Sequence, residues 1–336
     1  MQRRHFLGLA ALVPVLAACG NRMASQTPSA SGGSASGSDS RTLTHAFGET
    51  TITGKPTRVA TVGWSDQDVV AALGVKPIGA CQITWGGNAT LSTDWFDEAV
   101  ASLEGPDITR YSDADGIPVD QIAALAPDLI LGVGSGMTAD EYERLSRIAP
   151  TVAYPSTPFV TPWDEQLGII GQALGLEDEA QEVLSDTEAR IDDAISANPD
   201  VVDKSAAWVW FTATDLSTIT LYTSSDMRMT MMQRFGMVEP GIVTELSNGE
   251  YSVNLSAERA ADIDADVLVW YGSAITPEAV KADPLLSRIP ALQGNHYFAP
   301  TDDARVLGMT YPTPLSIPVA VDYVLPGLAQ AVAGVA

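Results

Sequence analysis

The chain has little of what most protein chemistry needs. Its 336 residues include two cysteines and three histidines. There is no C-x-x-C pair and no H-E-x-x-H, which excludes a dithiol redox centre and a zincin-type site. Beyond the first few residues only His45 and His296 remain, too few for a histidine-rich bare-metal site. Ser135 lies in Gly132-Val133-Gly134-Ser135-Gly136, but Val133 and Met137 stand where a nucleophile elbow needs glycine. Gly54-Lys55 is followed by Pro56, and Glu49 occupies the place of a P-loop's first glycine. No catalytic arrangement survives, so the chain is not expected to be an enzyme. Cations are scarce too: 18 Lys and Arg face 42 Asp and Glu, for a formal net charge of -24. A phosphate-binding surface needs clustered Lys and Arg, so no nucleic-acid partner is expected. A long apolar run is also missing. Phe6 to Ala18 is too short to span a bilayer.

That short run reads instead as a signal peptide, residues 1–18, behind a positive Arg3-Arg4. It ends in Leu16-Ala17-Ala18-Cys19, which resembles a bacterial lipobox with Cys19 as the lipidated residue. Two acyl chains there would hold the protein at a membrane. Arg3 to Leu7 also resembles a twin-arginine signal, so export by that route or by the general one stays open. Cleavage before Cys19 removes two arginines and no acid, which takes the charge from -24 to -26. Only Cys81 is then left unmodified, so no internal disulfide can form. Its apolar surroundings predict a buried, inert thiol. Residues 19–41 are rich in Gly, Ser, Ala and Thr and read as a flexible tether. Such a coil spans roughly 25 Å.

From Thr42 short apolar runs alternate with helical patterns, the mark of α/β layering. Strands are predicted over 57–63, 77–81, 128–133 and 151–154, with helices over 65–73 and 118–126. Thr138-Ala139-Asp140-Glu141 forms a capping box that opens a helix to Ile148. A long helical stretch over 161–198 follows, with Thr161 as its cap and Pro162 as its first residue. Gly175 is its one point of weakness. At about 45 Å it is long enough to join two lobes. After Asn198-Pro199 strands are expected over 206–212, 218–222, 266–271 and 296–299. Helices are expected over 227–235 and 256–262, with a proline-interrupted one over 315–333. The predicted fold is therefore α/β: two Rossmann-like lobes, 42–160 and 199–336, joined by one rigid helix with a ligand cleft between them.

The halves echo each other. Asp120 lies eight residues before Asp128, which opens an apolar strand, and Glu258 lies eight before Asp266, which opens another. Ligands in open α/β sheets sit beyond the carboxyl ends of the strands. The small-residue loop with Ser135 and Gly136 occupies such a place. So do Trp64, Trp85, Phe211, Tyr222 and Tyr271, and Tyr251 and Tyr311 lie in loops. These residues would line a cleft with flat, partly polar faces. Arg110, Arg228 and Arg305 are candidate cations for ligand oxygens.

The segment Ile122 to Val152 resembles the most typical stretch of the binding proteins that serve ferric-siderophore, haem and cobalamin importers. Trp163 to Gly175 and Tyr251 to Val269 carry the same resemblance. It implies a ferric siderophore as ligand, no cofactor, no metal ligated by the protein itself, and a monomer that docks on an ABC permease. It also implies one docking acid per lobe. Glu258 matches one, and Asp120 stands where glutamate is usual. Tyr251 and Tyr311 fall where ligand-stacking aromatics occur, and Ser135 and Gly136 near a contact loop. The family's hydroxamate-binding arginine has no clear counterpart. The acidic composition favours a neutral or cationic hydroxamate complex over a catecholate. The alternatives are haem or cobalamin, with His296 or a tyrosine as the haem ligand, an extracellular siderophore-processing enzyme, and a surface sensor.

Overall fold

The computed structural model describes residues 40–335. The expected signal peptide, the lipidated Cys19 and the tether up to residue 39 lie outside the described residues. Ser40 and Arg41, assigned to the tether, are instead the start of a strand.

A hairpin of β1 (Ser40–His45) and β2 (Gly48–Thr53) comes first. Its inward positions Leu43, His45, Thr50 and Ile52 are buried while their neighbours face out, the period of a half-covered strand. The first lobe then runs β3 (Val59–Thr61), α1 (Asp66–Ala72), β4 (Gly79–Cys81), α2 (Asp94–Ala101) and β5 (Thr109–Tyr111). It continues through α3 (Val119–Ala124), β6 (Leu129–Gly132), α4 (Ala139–Ser146) and β7 (Thr151–Ala153). The sheet is parallel throughout, in the order β5-β4-β3-β6-β7. Both faces of a parallel sheet are covered, and accordingly every residue of β3, β4, β6 and β7 is buried. The expected capping box is present: Thr138 accepts from the Glu141 amide, and Glu141 accepts from the Thr138 amide.

The long helical stretch is two helices, not one. α5 (Trp163–Leu174) stops at Gly175, which takes the left-handed conformation at φ 68°, and α6 (Glu177–Ala197) restarts two residues on. The turn lets Gly171 pack directly against Ala180, so α5 folds back on α6. Thr161 is not the cap either: its hydroxyl donates to the Val133 carbonyl, and Pro162 holds the cap position. α6 alone carries the chain from α5 of the first lobe to the second lobe, whose last helix packs against it. Its 21 residues give about 30 Å.

The second lobe runs β8 (Ala206–Thr212), β9 (Asp215–Tyr222), α7 (Met227–Arg234), α8 (Gly241–Leu246) and β10 (Ser252–Ser256). A 3-10 turn (Ala257–Asp262), β11 (Val267–Val269), α9 (Pro277–Ala282), α10 (Pro290–Gln293) and β12 (Tyr297–Phe298) follow. α11 (Asp303–Thr310) and α12 (Ser316–Val332) end it. α12 runs unbroken through Pro326, so the prolines do not interrupt it. The sheet order is β10-β9-β8-β11-β12, with β9 antiparallel to its neighbours.

The two sheets share one strand order, with β9 reversed relative to β4, and the repeated aspartates mark the match. Asp128, ahead of β6, accepts from the Thr57 and Arg58 amides and the Thr57 hydroxyl ahead of β3. Asp266, ahead of β11, accepts from the Ser205 amide and hydroxyl ahead of β8. Each carboxylate fixes the start of its lobe's central strand pair. One hydrophobic core crosses from lobe to lobe. It contains Val59, Leu129 and Trp163 of the first, and Trp208, Val267 and Met309 of the second. Among the described residues no helix is long and apolar enough to cross a membrane.

Candidate functional site

The carboxyl ends of β3 and β6 open onto a cavity of about 300 Å³. Its walls include Trp64, just past β3, and the Gly134–Met137 loop past β6. The second lobe contributes Tyr311 from the α11–α12 link. Trp64 and Tyr311 pack together at 5.3 Å between ring centroids, tilted by 39°. Trp64 is held by a 2.8 Å bond from its Nε1 to Asp113. Burial pushes the Tyr311 phenol above its usual value, so it stays protonated and able to donate at neutral pH.

The Ser135 loop is shaped for close approach rather than for reaction. The Ser135 hydroxyl donates to the Gly132 carbonyl at 2.7 Å and accepts from the Met137 amide, so it is spent on the turn. Gly136 lies under the Phe159 ring, which occupies the space a Cβ would need. Phe159 is 63% exposed and has a positive φ of 66°. An L residue holds that conformation only where its surroundings demand it. Here the Phe159 amide donates to the Ser135 carbonyl and anchors the backbone that carries the ring to the cavity.

A second group of rings forms the wall of the other lobe. Tyr271 packs edge-on against Trp85 of the first lobe at 5.1 Å and against Trp210 at 6.0 Å. Its hydroxyl meets Thr310 at 2.8 Å and accepts from Arg228 Nη1 at 3.3 Å. Arg228 lies 3.5 Å from the centre of the Tyr222 ring. Burial disfavours the guanidinium, but Asp226 outweighs it and keeps it charged. The Tyr271 hydroxyl bonds Thr310, the residue before Tyr311, and its ring meets Trp85 of the first lobe, so this group of rings adjoins the cavity at the lobe boundary.

Several sequence-predicted residues stand elsewhere. Phe211 is buried against Trp270 in the second lobe's own core. Side chains alternate along β8, so Trp208 and Trp210 face the interlobe side and Phe211 the opposite one. Arg305 packs over Tyr323 at 4.1 Å and lines none of the cavity. Arg110 is tied to Gln67, Ser92 and the Cys81 carbonyl. Tyr251 is 55% exposed at the head of β10 and neither lines the cavity nor stacks on another ring. His296 precedes β12, at the end of the sheet away from the cleft, and bonds to the Ala331 carbonyl. It is therefore not placed to ligate a haem in the cleft. Cys81 is buried, and burial pushes its thiol well up, as befits a core residue.

Sequence reasoning missed Trp210, Phe159, Asp113 and Asp226. The parity with Trp208 was a readable signal for Trp210, and the Asp226 cap ahead of α7 was another. Nothing local marked Phe159 or Asp113. Asp120 and Glu258 are both exposed, each in the first turn of the helical segment that leads into its lobe's matching strand, β6 or β11. Among the described residues no cluster of three or more His, Cys, Asp or Glu could hold a metal ion.

Two α/β lobes on a shared core, with an aromatic cavity at their boundary beyond the strand ends, define the fold of a bilobal solute-binding protein. The family model described as "Periplasmic binding protein" matches residues 59–304, and the chain belongs to that family. It is 28% identical over 265 residues to the probable siderophore-binding lipoprotein YfiY of Bacillus subtilis, covering 77% of this chain and 75% of that one. It is 27% identical over 282 residues to the Fe(3+)-citrate-binding protein YfmC of the same organism, covering 82% of each. Among solved structures, PiaA of Streptococcus pneumoniae TIGR4 in complex with ferrichrome superposes with a TM-score of 0.81. The identity there is 35%, over 87% of this chain and 99% of that one.

Proposed function

We propose that this protein captures a ferric siderophore of the hydroxamate type outside the cytoplasm and delivers it to an ABC importer. The observation that carries the reading is the cavity at the lobe boundary, walled by Trp64 and Tyr311, one ring from each lobe packed together, and by a loop of small residues. A bulky, rounded complex needs such flat walls and close backbone approach. The resemblance to a ferrichrome-bound structure supports the ligand class. The lipobox at Cys19 supports a lipid anchor, and the small-residue tether supports a body that reaches a membrane partner. We assign Asp120 and Glu258 to docking, one acid per lobe, meeting basic residues of the permease.

The test is uptake of labelled iron by cells that carry the Asp120→Ala, Glu258→Ala double variant. Uptake is expected to fall about tenfold or more, as loss of two interfacial charge pairs predicts. Affinity of the purified variant for the ferric complex should stay unchanged. Full uptake by the double variant would remove the docking role, and lost affinity would move those acids into the ligand site.

A further inference from the structure

The charge on the cleft wall carries an inference that rests on the ferric-complex reading above. We propose that Asp226 selects the charge class of the captured complex: by cancelling Arg228, it makes the cleft accept neutral or cationic ferric complexes and reject anionic ones.

Arg228 is the cation that stands at the aromatic wall. Its guanidinium is held by Asp226 in a two-point clamp, Nε to Oδ1 at 2.7 Å and Nη2 to Oδ2 at 2.6 Å. The side chains are only 11% and 9% exposed, so the pair is poorly screened by water and its charges cancel locally. The two other candidate arginines offer nothing in its place. Arg110 is spent on polar groups of its own lobe, and Arg305 lies over Tyr323. What remains at the cavity itself is acidic. Asp113 and Glu141 both line it, neither is in an ion pair among the described residues, and no Lys or Arg is among its lining residues.

The full charge of Asp226 is more than the local fold requires. The residue caps α7 by accepting from the Arg228 amide at 2.9 Å. Asparagine or serine would cap as well. The carboxylate adds the second thing, neutralisation of the one arginine that faces Tyr222 and Tyr271. An anionic complex entering this cleft would meet two carboxylates held by neutral donors, and a cation already taken. Discrimination by unfavourable charge of that kind is a common route to specificity. Ferrichrome, whose three hydroxamates balance ferric iron, meets no such penalty. Ferrioxamine B, with an added ammonium, is attracted.

The experiment compares the full wild-type chain with Asp226→Asn and Asp226→Ser. Both substitutions keep the cap and remove the charge, and circular dichroism checks the fold. Tryptophan fluorescence titration reads affinity for ferrichrome, ferrioxamine B, ferric citrate and a ferric tris-catecholate. The wild type is expected to bind the first two at least about tenfold more tightly than the anionic pair. In both variants the anionic complexes should gain about tenfold and ferrioxamine B should weaken, with the shift shrinking as salt rises. An unchanged ranking in folded variants overturns the role of Asp226. A wild type that prefers the anionic complexes overturns it as well. A wild type that binds none of the four overturns the ferric-complex reading on which the proposal stands, which the other two results leave intact.

Discussion

Tyr311→Ala is expected to weaken binding of a ferric hydroxamate by roughly 30-fold, about 2 kcal/mol. The ring is the second lobe's contribution to the cavity and packs against Trp64 of the first. Removing it opens one wall and takes away a phenol that burial keeps protonated. A large aromatic at the centre of a desolvated contact is where binding energy concentrates. Arg305→Ala supplies the contrast, because that side chain packs over Tyr323 outside the cavity, and its affinity should match the wild type. Fluorescence titration measures both, with Trp64 as a reporter beside the mutated ring. Unchanged affinity for Tyr311→Ala in a folded protein would move the ligand off this wall.

Asp68→Asn is expected to raise the stability of the protein at neutral pH. Asp68 is buried in α1, and burial pushes its pKa from 3.8 to about 6. Its Oδ2 accepts from Trp95 Nε1 at 2.7 Å and, across the lobe boundary, from the Thr313 hydroxyl at 2.9 Å. Its Oδ1 has no partner among the described residues. The folded state therefore holds its proton more tightly than the unfolded chain does. The stabilising effect of that proton is complete below the unfolded value of 3.8 and is lost as pH rises through about 6. Asparagine keeps an acceptor for both donors and carries no charge. The gain over wild type should be on the order of 2–3 kcal/mol at about pH 7.5 and should fade by about pH 4. Urea unfolding at the two pH values measures it. A variant less stable than wild type at neutral pH would contradict this view of the site. Asp66, whose pKa burial also raises to about 6, shares the same helix and adds to the same slope in the wild type.

What could be read from the sequence is what local chemistry decides. The Thr138–Glu141 capping box closes within four residues and forms as expected. The spacing of Asp120 to Asp128 and Glu258 to Asp266 marked a real correspondence of the lobes, because each strand-opening aspartate clamps its neighbour strand. What escaped depends on packing between distant segments. Apolar spacing continues on both sides of Gly175, and it is the close contact of Gly171 with Ala180 that folds α5 back on α6. A strand's parity tells that Trp210 and Phe211 face opposite ways, but not which face meets the other lobe. The hairpin of β1 and β2 shows in the alternation of Leu43, His45, Thr50 and Ile52, and the small polar residues before it hide only its first two positions, Ser40 and Arg41. Asp113 became visible only when the Trp64 indole reached it.

The central claim is capture of an iron-loaded siderophore, and titration of the protein with ferrichrome and with its iron-free form tests it most directly. The account predicts saturable quenching of tryptophan fluorescence by the ferric complex and a far weaker response to the iron-free ligand. Saturation by haem or cobalamin, with no response to ferrichrome or any other ferric siderophore, would contradict it.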